Sequence, residues 1–167
     1  MPNTLTKAEN FDGRILGYTD IGLNEGHVTL SLTTSFVVPT DEFSVAFVAP
    51  PSGNVEIEFQ IQHLFGSSGL GDLLVGLSTA NATSGYAALQ DYHEENFVNN
   101  GARGGSLTVR GSWTLTALTA GTAYEYWMGV RTDTTTGSPS VRWGGNSSLR
   151  YPSFIMKAIA LPASITT

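Results

Sequence analysis

The chain has 167 residues, of which only 13% are charged, about half the ~25% usual for globular domains. Eight Lys plus Arg stand against 14 Asp plus Glu for a net charge of −6, and only two of the cations are lysines, Lys7 and Lys157. The acidic balance argues against a nucleic-acid partner, the absence of Cys excludes a disulfide framework and thiol chemistry, and no run approaches the ~20 apolar residues of a membrane span.

Residues 1–13 are polar and lack alternation, so they read as an N-terminal arm. A single domain is expected over 14–163, followed by a short C-terminal tail at 164–167. The first residues show no basic stretch leading into an apolar one; no signal peptide is expected, and synthesis in the cytoplasm is.

Strand periodicity then takes over. Residues 28–33 (VTLSLT) and 43–47 (FSVAF) alternate apolar and polar, as half-buried strands do. Residues 55–62 (VEIEFQIQ) are the clearest case, sending Val55, Ile57, Phe59 and Ile61 to a core. The stretch from Tyr86 to Phe97 has no apolar stripe and reads as a long connection with one helical turn. Further strands are expected at 107–110, 113–116, 123–131, 140–143 and 154–161. Breakers separate them: Pro39, Pro50-Pro51-Ser52-Gly53, Gly66-Ser67-Ser68-Gly69, Gly104-Gly105, Gly121, Gly137-Ser138-Pro139 and Gly144-Gly145. About eight or nine short strands at this spacing predict an all-β sandwich or barrel, and an antiparallel sandwich is the expected fold.

Catalytic grammar is thin. The three histidines, His27, His63 and His93, are scattered, and the Asp91–Glu95 cluster lacks the spacing that brings two His to one metal. Glu56 and Glu58 share one strand face, which reads as a solvated face rather than a glycosidase pair; Asp41-Glu42 reads as turn chemistry. The Gly66–Gly71 run matches neither a phosphate loop nor a dinucleotide fingerprint, and no nucleophile elbow is present. The Asn-x-Ser/Thr matches at Asn81 and Asn146 are expected by chance in a chain with 20 Thr and 16 Ser. No catalytic residue, metal or cofactor is expected.

Aromatic residues carry more information. Tyr124 and Tyr126 share one face of a strand, and Trp127 points to the other; Trp113 and Trp143 lie on other strands. One face must be core, and the other must meet something: a neighbouring subunit or a sugar ring. Tyr124, Tyr126, Trp127 and Trp143 are the candidates for that contact, with an ordinary sandwich core as the alternative place for these rings.

Four segments, in order, resemble small β-sandwich virion proteins of tailed bacteriophages. They are Phe47–Ile57 (FVAPPSGNVEI), Leu118–Tyr124 (LTAGTAY), Val141–Gly145 (VRWGG) and Tyr151–Pro162 (YPSFIMKAIALP). The resemblance implies a jelly-roll-like sandwich without catalytic residues. It also implies a homotrimer in the virion, assembled in the host cytoplasm, with no membrane or nucleic-acid partner. A capsid decoration (cement) protein docking on the major capsid protein is the first expectation. A receptor- or glycan-binding head of a tail or fibre, using exposed aromatics and the Asp91–Glu95 loop, is the alternative; it needs Trp113, Trp127 and Trp143 together in an open groove.

Overall fold

The computed structural model of the chain describes residues 13–22, 26, 28–65, 71–81, 90–94, 105–145 and 150–164. Most of the expected arm (1–12), the end of the tail (165–167), His27, Asn146 and the Gly66–Gly69 turn therefore lie outside the described residues. The described residues form ten strands: β1 (Ile15–Ile21), β2 (Val28–Ser31), β3 (Ser44–Val48), β4 (Val55–Phe65), β5 (Leu73–Ser78), β6 (Gln90–Glu94), β7 (Gly105–Leu115), β8 (Ala123–Arg131), β9 (Ser140–Trp143) and β10 (Phe154–Ala160). None of the described residues is helical.

All pairings are antiparallel and fall into two sheets. The spine of the six-stranded sheet is β4. Strand β7 lies along its whole length, while β10 and β9 divide its other side; β1 flanks β10 and β2 flanks β9. The second sheet runs β3-β8-β5-β6.

The alternation along β4 is realised as expected. Val55, Ile57 and Ile61 are fully buried and Phe59 is 3% exposed, whereas Glu56, Glu58, Gln60 and Gln62 take the opposite face. Burying each such apolar side chain is worth about 1.5–3 kcal/mol. The two inner faces share one core, and aromatic rings bridge it. Phe43, just before β3, stacks on Phe154 of β10 at 3.8 Å between ring centroids and meets Trp143 of β9 edge-on at 4.8 Å.

Three expectations are corrected. Residues 107–110 and 113–116 belong to one strand, β7, because Gly111 fills an inward slot directly opposite Phe59 and the ladder runs through it. Within the connection expected over 86–97, Gln90–Glu94 form β6, which pairs with β5; the rest of that stretch lies outside the described residues. Strands β1 and β5 were not visible as alternation: β1 carries a register shift between Ile15 and Gly17, and β5 (LLVGLS) is buried on nearly every residue.

Backbone contacts lock one end of the sandwich. In the Pro50–Gly53 turn, Gly53 N–H donates to Pro50 O at 2.9 Å, with Gly53 at φ +69°. Leu118 N–H donates to Gly53 O at 2.9 Å, and a Cβ on Gly53 would lie 2.6 Å from Leu118 O. The adjoining Asn54 is 7% exposed; it accepts from Leu161 N–H at 3.0 Å through its carbonyl, and its Nδ2 donates to Pro162 O at 2.8 Å. Three of the four segments that carry the family resemblance thus converge here, each satisfying backbone groups of another. Elsewhere, the edges of β1 and β3 run side by side: Thr19 Oγ1 donates to Ser44 O at 2.6 Å, and a Cβ on Gly17 would lie only 2.2 Å from Ala46 O.

Candidate functional site

The sequence places its contact candidates on β8 and β9, and the structure puts most of them inside. Tyr126 is 5% exposed and Trp143 2%. Tyr124 and Tyr126 face inward with Met128 and Val130, opposite Phe47 and Val45 of β3. Their rings form a stack with Phe47, at 6.1 and 6.0 Å. Tyr124 is half-buried, and its hydroxyl accepts from Thr119 N–H at 3.0 Å. Burial, and secondarily Tyr124 beside it, raises the Tyr126 phenol above its ordinary pKa of 10.0. Trp127 faces the other way, half-buried between Ser44 and Ser78 of the flanking strands. Trp113 is 4% exposed and packs on Phe59 at 4.8 Å. The candidates therefore do not form one open face: Tyr126 and Trp143 are core residues, and the three tryptophans share no groove. Period two assigned the faces of β8 correctly but did not say which was inward.

The titratable candidates are equally dispersed. His63 lies on the inner face of β4, 1% exposed, between Leu107 of β7 and Val141 of β9. Burial lowers its pKa from 6.5 to about 4, with Asp72 pulling more weakly in the opposite direction. Among the described residues no three or more His, Asp or Glu come together to hold a metal ion. His93 and Asp91 fall on β6, opposite Leu74 and Gly76.

What remains is a surface that the sequence presents only as a solvated face. The outer side of the six-stranded sheet carries an open depression of about 500 Å³. Two rows of residues cross it in register: Tyr18–Lys157–Glu58–Ser112 and Asp20–Ile155–Gln60–Arg110, drawn in order from β1, β10, β4 and β7. Lys157 and Glu58 form an ion pair between neighbouring strands. Arg110 Nε donates to Gln60 Oε1 at 2.8 Å, and Gln60 Nε2 donates to Ser153 O at 3.4 Å. Tyr18, at 54%, is among the most exposed large apolar side chains. Sequence reading missed this group because its members sit on four strands that one alternation pattern cannot relate. The one available signal was the unusual size and amide content of the polar face of β4.

No protein-family model matches the chain, and no curated protein matches it. Among solved structures it is similar to the tripod (BppUct-A-L) from the baseplate of bacteriophage Tuc2009, with 16% identity, 96% of this chain and 68% of that chain covered, and a TM-score of 0.32. A likeness of that size assigns no role.

Proposed function

We propose that the chain is a non-enzymatic structural protein of a tailed-phage virion: a jelly-roll-like sandwich that decorates the capsid, docking as a homotrimer on the major capsid protein. The observation that carries the reading is the placement of the resembling segments. Phe47–Ile57, Leu118–Tyr124 and Tyr151–Pro162 meet through backbone bonds at one end of a two-sheet sandwich, the architecture that the resemblance implies. The strand orders support the jelly-roll detail: with β2 and β9 set aside as additions, β1-β10-β4-β7 faces β3-β8-β5-β6, the interleaving of two Greek keys.

Support for self-association comes from the edges. Strand β7 is an 11-residue edge among the described residues, without Pro and with Arg110 as its only charge. Edges left so lightly guarded invite pairing, which suits a chain covered by neighbours. Ile15 and Val48, 59% and 54% exposed, lie on the adjoining edges of β1 and β3, and a subunit contact would cover them.

A tail or fibre head with a receptor-binding surface is the second reading. The open depression lined by Tyr18, Glu58, Gln60 and Arg110 favours it, in place of the tryptophan groove first expected. Cryo-electron microscopy of the particle that carries the chain tests both. Three copies around a symmetry axis of the capsid lattice are expected; density at the tail tip sinks the decoration reading, and absence from the particle sinks both.

A further inference from the structure

We infer that the outer face of the six-stranded sheet is a saccharide-binding site, with Tyr18 as the stacking platform and Glu58, Gln60, Arg110 and Ser112 as the hydroxyl-reading groups. The inference deepens the receptor-binding reading above and commits to a ligand class and to residues.

Size comes first. The depression, at about 500 Å³, lies within the ~300–1,000 Å³ range of small-ligand sites. Its rows cross four strands spaced ~4.8 Å apart, a run of about 14 Å that a di- or trisaccharide fills.

Chemistry narrows the class. A pyranose offers apolar C–H faces and a rim of adjacent hydroxyls that both donate and accept. The exposed ring of Tyr18 supplies an amphipathic platform for the first. The rim meets acceptors and donors in alternation: the Glu58 carboxylate, the Gln60 amide, the Arg110 guanidinium and the Ser112 hydroxyl. Partners on neighbouring strands already orient these groups. Lys157 holds Glu58, and Gln60 fixes Arg110 through Nε at 2.8 Å, leaving the two Nη groups to offer. Groups fixed before the ligand arrives lose little freedom on binding.

Other ligand classes fit less well. Glu58 stands among the cations and opposes a phosphate. A protein partner is disfavoured by the Lys157–Glu58 pair in the lining, since interface cores are depleted of Lys and Glu.

The test applies purified full-length protein to a printed array of bacterial and synthetic glycans. The strongest binder is then titrated calorimetrically against variants. Tyr18→Ala and Arg110→Ala are each expected to weaken binding at least about tenfold, whereas Tyr18→Phe keeps it within about threefold. Ser31→Ala, on β2 away from the depression, leaves it unchanged. Tyr18 and Arg110 are exposed, so the fold survives, and circular dichroism verifies this. No glycan bound above background overturns the inference, as does a bound glycan whose affinity ignores both alanine variants, or a protein partner whose binding those variants abolish while the array stays blank. Because the array uses the isolated chain, its outcome is independent of where the particle displays the protein.

Discussion

The two faces of β4 belong to one strand and obey opposite rules. Its inner residues, Val55, Ile57, Phe59 and Ile61, are at most 3% exposed, and their neighbours are fixed by packing. Its outer residues, Glu56, Glu58, Gln60 and Gln62, are half-buried, and most of their neighbours across the ladders are polar, with Ile155 and Ile159 between them. The inner face accounts for why the chain folds. The outer face can change with little cost in stability, which leaves it available for recognition. Residues chosen for aromatic character alone fall on the wrong side of that division, as Tyr126 and Trp143 do.

The sharpest way to break the comparison is to cut the inner face. Ile57→Ala leaves a cavity at a fully buried site and is expected to cost about 3–4 kcal/mol, lowering the thermal midpoint by roughly 10 °C in a calorimetric scan. His63 gives the same face a pH dependence. Its folded pKa of about 4 lies below the unfolded 6.5, so the unfolded chain binds the extra proton between those values. Its contribution is therefore complete above pH 6.5 and is lost as pH falls toward 4, amounting to up to about 3 kcal/mol. Urea midpoints of wild type should fall relative to those of His63→Leu as pH drops across that window; parallel curves would contradict the assignment.

Smaller effects sharpen the contrast. Gly53→Ala forces a side chain onto a positive φ and toward Leu118 O, and is expected to cost about 1–2 kcal/mol or more in chemical denaturation. On the outer face, Lys157→Ala breaks a partly exposed ion pair, side chains 31% and 36% exposed, and should cost no more than about 1 kcal/mol. Tyr18→Ala should move stability by no more than about 0.5 kcal/mol in either direction, because its side chain is already largely in solvent.

Much of this fold was readable because it is written in alternation. Strands β4, β8 and β10 have one face in the core and one outside, so period two locates them and assigns their faces. Strand β5 was not readable, since a strand covered on both sides keeps no alternation; β6 has too short and polar a sequence, QDYHE, to announce a strand without its partner. The turn at Pro50–Gly53 was legible from residue type, but its role as a hub for Leu118, Leu161 and Pro162 depends on partners more than sixty residues away. The candidate site was the least legible. Tyr18, Lys157, Glu58 and Ser112 form a row only after β1, β10, β4 and β7 have paired, and a register is a property of the sheet rather than of any one strand.

The proposed role makes this sandwich a part of an assembly. Coverage by neighbours, as proposed, would account for its scarcity of lysine, the lightly charged β7 edge and the exposed Ile15 and Val48. Light scattering on the purified chain at micromolar concentration tests this most directly. A mass three times 17.7 kDa is predicted, and a strictly monomeric 17.7 kDa species would contradict it.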